Sequence, residues 1–173
     1  MRERLDLSTP DSADSFEGFY MKEYPSVVSL AYALSGSRWV AEDLAQEAFL
    51  VVHTRWDAVS GYDRPEIWVR RVVANLSVSA LRRRVAEAKA VARMSSARAP
   101  DSALSVETIE FWRAVRSLPR RQKQVIALHY VEDLPIAGIA QVLEIAEGTV
   151  KKHLHDGRAT LALRLGLDDE GEP

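Results

Sequence analysis

Apolar residues recur at spacings of three and four along almost the whole of this 173-residue chain, and period-two alternation is nearly absent. A helix turns once in about 3.6 residues, so that spacing gathers side chains onto one face and points to an all-α chain; a half-buried strand would need every second residue apolar. From Asp14 to Leu34 such a face is formed by Phe16, Phe19, Tyr20, Val27, Val28, Ala31 and Leu34. Pro25 is placed to kink or divide that helix, and Ser35-Gly36-Ser37 to end it. From Arg38 to Trp56, Val40, Leu44, Ala48, Val51 and Val52 form an apolar stripe, while Glu42, Asp43, Gln46 and Glu47 lie largely off it. Gly61 and Pro65 then punctuate a loop, and a third helix to about Arg84 buries Trp68, Val69, Val72, Val73, Leu76 and Leu81.

The stretch from Val85 to Ser105 is rich in Ala, Arg and Ser, has Pro100 near its end and holds few large apolar residues. It reads as a linker, partly helical at its start. Four helical pieces follow: Val106 to Leu118, Arg120 to Val131, Pro135 to Leu143 and Glu147 to Leu165. The break at Leu118-Pro119 comes from proline's restriction of the residue before it. The organisation expected is therefore two small helical domains, 14–84 and 106–166, joined by a flexible linker over 85–105.

Composition narrows the function. With 47% apolar and 28% charged residues the chain has a globular make-up, and no apolar run approaches the roughly 20 residues of a membrane span. The opening ten residues carry no apolar signal region, so the expected compartment is the cytoplasm. Zero cysteines exclude disulfides, thiolate catalysis and Cys-based zinc sites. The histidines His53, His129, His153 and His155 are scattered, and no Gly-rich phosphate loop, HExxH pair or nucleophile elbow appears. No catalytic residue, metal or cofactor is expected.

Net charge is −2, which by itself argues against a nucleic-acid binder. The distribution argues the other way. Arg64, Arg70, Arg71, Arg82, Arg83 and Arg84 face only Glu66 within their stretch, and Lys151, Lys152, Arg158 and Arg164 face only Asp156 within theirs. An acidic tail, Asp168-Asp-Glu-Gly-Glu-Pro173, hides this in the total. Fields act over about 8 to 10 Å in cellular salt, so the local balance governs contact.

Pro135-Ile-Ala-Gly-Ile-Ala-Gln-Val-Leu143, a short turn and Glu147-Gly-Thr-Val-Lys-Lys-His-Leu154 have the layout of a helix-turn-helix. Ile136, Ile139, Ala140 and Leu143 face the core, Ile145 plugs the turn, and Val150 and Leu154 anchor the second helix. Polar residues at the start of that helix, Glu147, Thr149, Lys151, Lys152, His153 and His155, are free to meet a major groove.

Leu118-Pro-Arg-Arg-Gln-Lys-Gln-Val-Ile-Ala-Leu-His-Tyr130, with Gly148-Thr-Val-Lys-Lys-His-Leu154, resembles the fourth conserved region of extracytoplasmic-function sigma factors, which reads the minus thirty-five promoter element. Ala41-Glu-Asp-Leu-Ala-Gln-Glu-Ala-Phe49 is similar to that family's signature for clamping the polymerase. Trp68-Val-Arg-Arg-Val-Val-Ala-Asn-Leu76 and Leu81-Arg-Arg-Arg84 resemble its minus ten reader. The likeness spans about Phe16 to Leu165, with both motifs in the family's order.

The resemblance implies a transcription initiation factor. Asp43, Leu44, Gln46, Glu47, Phe49 and Trp56 would dock on the β′ clamp helices of core RNA polymerase, and the second domain would meet the β flap. Ser60, Gly61, Tyr62, Asp63, Arg64 and Trp68 would capture a base of the melted minus ten strand, while Arg71, Asn75, Arg82 and Arg83 hold phosphates and neighbouring bases. Arg120, Glu147, Gly148, Thr149, Lys151, Lys152, His153, His155 and Arg158 would hold the minus thirty-five duplex. An anti-sigma factor is a further expected partner, and the active protein would be nucleoid-associated. Three departures stand out: Glu144 where Gly is usual, Ala146 where a hydroxyl or Pro is usual, and Asp156-Gly157 in place of an Arg-Ala pair. They remove a left-handed residue, an N-cap and a phosphate-gripping cation. A stand-alone helix-turn-helix regulator is the main rival reading, and it leaves Asp43 to Phe49 and the Arg-rich third helix unexplained; a helical adaptor without a DNA role is the other.

Overall fold

The structure, a computed structural model, describes residues 15–91 and 106–166, except the side chains of 80–91 and 106. Those residues form helices α1 (Phe16–Ser35), α2 (Arg38–His53), α3 (Trp56–Val59), α4 (Pro65–Val91), α5 (Val106–Arg116), α6 (Arg120–Tyr130), α7 (Ile136–Leu143) and α8 (Glu147–Leu165), with no strand among them.

Ser15 starts α1 by accepting a hydrogen bond from the Gly18 amide at 3.1 Å, which satisfies one of the amides a helix start leaves unpaired. Gly36 ends it at φ 71°, in the left-handed region open to glycine. Of the two outcomes expected at Pro25, a kink or a division, the division does not occur: α1 runs through it. The proline lies on the exposed face, where water can satisfy the carbonyl it leaves without a donor, and buried Val27, Leu30, Ala31 and Leu34 hold the next turns. α2 stops at His53, so Trp56 opens the short α3 and does not close α2. α4 continues to Val91, past the expected end at Arg84 and into the expected linker. Ala, Glu and Lys fill 86–90, and they are good helix formers. The rest of that linker, 92–105, lies outside the described residues, as does the acidic tail.

In the first unit α2 and α4 pack on α1 around Val27, Leu30, Leu44, Ala48, Val52, Val69 and Val73. One end is closed by an aromatic cluster. Phe49 lies 4.9 Å from the Tyr20 ring and 6.0 Å from that of Phe19, edge to face, and Trp56 stacks 5.2 Å from Phe19. The second unit closes on Val115, Ile126, Leu128, Ile139, Val150 and Leu154. Gly157 lets α8 approach α6 closely, since a Cβ there would stand 3.2 Å from Cγ1 of fully buried Ile126. The glycine that weakens the helix in isolation is therefore a packing residue.

The two units lie against each other: α1 packs on α5 and α6, and α4 on α7. Arg116 of α5 lies over Gly36, where a Cβ would come within 2.5 Å of its Nε.

Candidate polymerase and nucleic-acid interfaces

On α2 the Asp43, Gln46 and Glu47 side chains are exposed along one face, as the spacing implied. Leu44 and Phe49 are not beside them. They are 1% and 2% exposed, on the opposite side of the helix, so their expected role as polymerase contacts is corrected to core packing. Trp56 is half-buried in the same aromatic cluster. The apolar group that does share the surface is Leu50, 66% exposed, above a groove lined by Phe16, Tyr20, Gln46 and His53. The sequence reading missed it because Leu50 falls off the inward stripe. Trp39, at the start of α2, is 75% exposed and was likewise missed.

Ser60, Gly61, Tyr62, Asp63 and Arg64 form an exposed loop between α3 and α4. Behind it Trp56, Tyr62 and Trp68, with His53, Thr54, Arg55 and Asp57, line a pocket of about 360 Å³. Asn75 is exposed one turn beyond Arg71 on α4. Arg71 itself is turned to the second unit, where it donates to Glu144 Oε1 and to the Gln141 carbonyl, each at 2.8 Å. Arg82 and Arg83 lie on α4, but their side chains are outside the described residues.

The helix-turn-helix is α7, a tight turn and α8. Glu144 occupies the left-handed region at φ 54° and ψ 48°, and Ala146 takes the extended cap conformation without a side chain able to cap. Both departures noted in the sequence thus fall where the backbone asks for the usual residue. Glu147, Gly148, Thr149, Lys151, Lys152, His155 and Arg158 are exposed on α8, His153 is half-buried, and Arg120 is exposed at the start of α6. Lys152 and Arg158 on α8 already have intramolecular partners. Lys152 donates to Asp156 at 2.7 Å, and that hydrogen bond is the main reason the Asp156 carboxyl is held below its ordinary range. Arg158 donates to the Tyr130 hydroxyl at 3.0 Å, with its guanidinium 5.6 Å from the ring centre.

Arg70, counted from sequence with the DNA-facing charge of α4, is buried instead. It donates to Glu23 at 2.8 Å, to the Glu66 carbonyl at 3.0 Å and to Ser26 at 3.2 Å, and its Nε pairs with Glu132 of the second unit. Burial alone pushes the guanidinium pKa down, but Glu132 and Glu23 outweigh it and hold the group above its ordinary range. A signal was present: Glu23 sits three residues beyond Tyr20 and four before Val27, so an acid interrupts the apolar stripe of α1. A buried carboxylate there points to a cation or hydrogen-bond donors packed against it.

Residues 19–87 match the family described as Sigma-70 region 2, and residues 108–161 the family described as Sigma-70, region 4. Fold, helix-turn-helix and both matches define a two-region factor of the sigma-70 class. The chain is 30% identical to the ECF RNA polymerase sigma factor SigM of Mycobacterium tuberculosis, over 91% of its own length and 80% of the relative's. It is 26% identical to the ECF RNA polymerase sigma factor SigW of Bacillus subtilis, over 95% and 96% respectively. This chain belongs to the ECF RNA polymerase sigma factors. Its fold is also that of the sigma factor RpoE, solved in complex with the anti-sigma factor NepR from Bartonella quintana, with a TM-score of 0.73 at 23% identity over 89% of this chain and 98% of that one. Among the described residues no cluster of His, Asp and Glu could hold a metal ion, and no helix is long and apolar enough to cross a membrane.

Proposed function

We propose that the first unit docks on the β′ clamp helices of core RNA polymerase through Asp43, Gln46 and Glu47, with Leu50 as the apolar anchor beside them. The pocket behind Ser60 to Arg64 takes a flipped base of the minus ten strand. Base-aromatic stacking contributes about 1 to 3 kcal/mol per base, so Tyr62 and Trp68 favour the opened strand over the duplex, and no nucleotide hydrolysis is required. The exposed start of α8, from Glu147 to Lys151, enters the minus thirty-five major groove, and Gly148, with nothing near its missing Cβ, lets backbone come close to phosphate. The second unit meets the β flap, an anti-sigma factor masks these faces when the protein is idle, and the protein works in the cytoplasm, on the nucleoid, without catalysing a reaction.

The observation that carries this reading is the separation of two exposed polar faces, acidic on α2 and basic on α8, on two small units of one chain. A stand-alone regulator needs only the second. The test is transcription from a supercoiled promoter with purified core polymerase. Wild type yields promoter-specific transcripts, and Asp43→Lys with Glu47→Lys abolishes both transcripts and core binding. DNA binding without transcripts would favour the regulator instead.

A further inference from the structure

We infer that the groove between α1 and α5 is a binding site for a long-chain fatty acid, with the chain along the groove and the carboxylate on Arg116 and Lys123. The groove has a volume of about 650 Å³ and lies among Tyr24, Val28 and Tyr32 of α1, Ala41 of α2, Trp112 of α5 and Val131. Small-molecule sites span about 300 to 1,000 Å³ and have mainly aromatic and aliphatic walls, as here. At its margin Arg38 pairs with Glu42 at 3.0 Å.

Helical spacing sets the direction of the groove. Pro25, Val28, Ser29 and Tyr32 follow one another along the α1 wall and lead to Gly36. Thr108 and Trp112 line the opposite wall one turn apart, and Arg116 follows one turn later on the same face of α5. Its guanidinium lies over Gly36 and closes this end. At a rise of about 1.5 Å per residue, the path from Pro25 to Gly36 is about 16 Å. A long site with apolar walls and a charged end suits an unbranched chain with an ionised head.

The charge at that end is positive and lacks an acid. Lys123 of α6 is buried, at 6% exposure, and close enough to Arg116 for the two to repel. Among the described residues neither forms an ion pair or hydrogen bond through its side chain. Burial is the main reason that both groups are held below their ordinary ranges; Arg116 adds to it at Lys123, while at Arg116 Tyr32 opposes it and Arg113 adds to it. The carbonyl end of α1 under Arg116 supplies only about half an elementary negative charge, so the cations remain in excess. A buried cation without a counter-charge is costly, and a ligand carboxylate would relieve both groups through charge-assisted hydrogen bonds.

The test is calorimetric titration of the full chain with sodium laurate below its micelle concentration. Saturable binding of one laurate per chain is expected, and none of dodecyltrimethylammonium, which has the same chain and the opposite charge. Arg116→Gln should weaken laurate binding by about tenfold or more, the loss usual for a hydrogen bond between charged groups, and Arg116→Lys should restore most of it. Ser29→Trp, at an exposed position on the groove wall, should abolish binding by filling the groove. Circular dichroism checks that each variant stays helical. Absence of saturable laurate binding, equal binding of the cationic amphiphile, or laurate affinity unchanged in both Arg116→Gln and Ser29→Trp would overturn the inference. So would either of two other occupants, in the absence of laurate binding. A dimer in sedimentation that Ser29→Trp dissociates would assign the groove to a second copy of the chain. Hydrogen-exchange protection of residues 92–105 that Ser29→Trp removes would assign it to the chain's own segment.

Discussion

Phe49 separates a packing role from a contact role, because the family motif places it on the polymerase face and the structure places it in the core. It is 2% exposed, with ring centres of Tyr20, Tyr24, Phe19 and Phe16 at 4.9, 5.9, 6.0 and 6.5 Å. Phe49→Ala removes a ring enclosed by four others, and a buried Phe→Ala change costs about 3 to 5 kcal/mol. The ring pairs, at about 0.5 to 1.5 kcal/mol each, overlap with that burial and are not added to it. For a chain of this size each kcal/mol shifts Tm by about 2 to 4 °C, so the midpoint should fall by about 6 to 20 °C. Leu50→Ala, next in sequence but 66% exposed, should stay within about 0.5 kcal/mol of wild type. Melting followed by circular dichroism measures both, and core binding is assayed well below the lower midpoint. There Phe49→Ala should still bind and Leu50→Ala should bind more weakly. A Phe49→Ala midpoint within about 2 °C of wild type, with core binding lost, would refute the reasoning, because the expected shift is at least about 6 °C.

Two changes in the helix-turn-helix test its departures from the family pattern. Ala146→Ser supplies the missing cap of α8 on a backbone already extended at ψ 147°, and should stabilise by about 1 kcal/mol; an unchanged midpoint would mean the α8 amides are satisfied otherwise. Asp156→Ala frees Lys152 from its 2.7 Å partner, so duplex affinity at low salt should rise and the logarithmic salt slope should steepen by about 0.9, the signature of one more phosphate contact; an identical slope would show that Lys152 does not reach the backbone. The same pair sets a pH dependence. Because the Asp156 carboxyl is held down by the Lys152 hydrogen bond, its contribution to stability is present above the unfolded carboxylate pKa and is lost as pH falls through the folded one. In Lys152→Met the NMR titration of Asp156 should move back up toward the ordinary range, and an unmoved titration would assign the shift elsewhere.

Helix faces and the helix-turn-helix, though not the one-turn α3, were legible in the sequence because they depend on local periodicity. A face defined every three or four residues survives whatever the helix packs against, which is why Asp43, Gln46 and Glu47 are exposed together and Val150, Leu154, Gly157 and Leu161 are buried together. Cap chemistry is local in the same way, and Glu144 and Ala146 fall at the left-handed and extended positions that their neighbours implied. Motif membership was less informative about individual side chains. A motif names consecutive residues, and consecutive residues of a helix point in different directions, so Leu44 and Phe49 share a signature with Asp43 and Glu47 but not a surface.

What the sequence by itself determined, then, was an all-helical chain with one polar face for each of two tasks. Tertiary structure decided where the charges go. Arg70 and Arg71 are adjacent and chemically identical, yet one is buried between Glu23 and Glu132 and the other reaches α7, because the partners of both lie far away in the chain. A long-range ion pair leaves no periodic trace, since its energy depends on which groups are shielded from water together, and only the packing of one unit against the other establishes that.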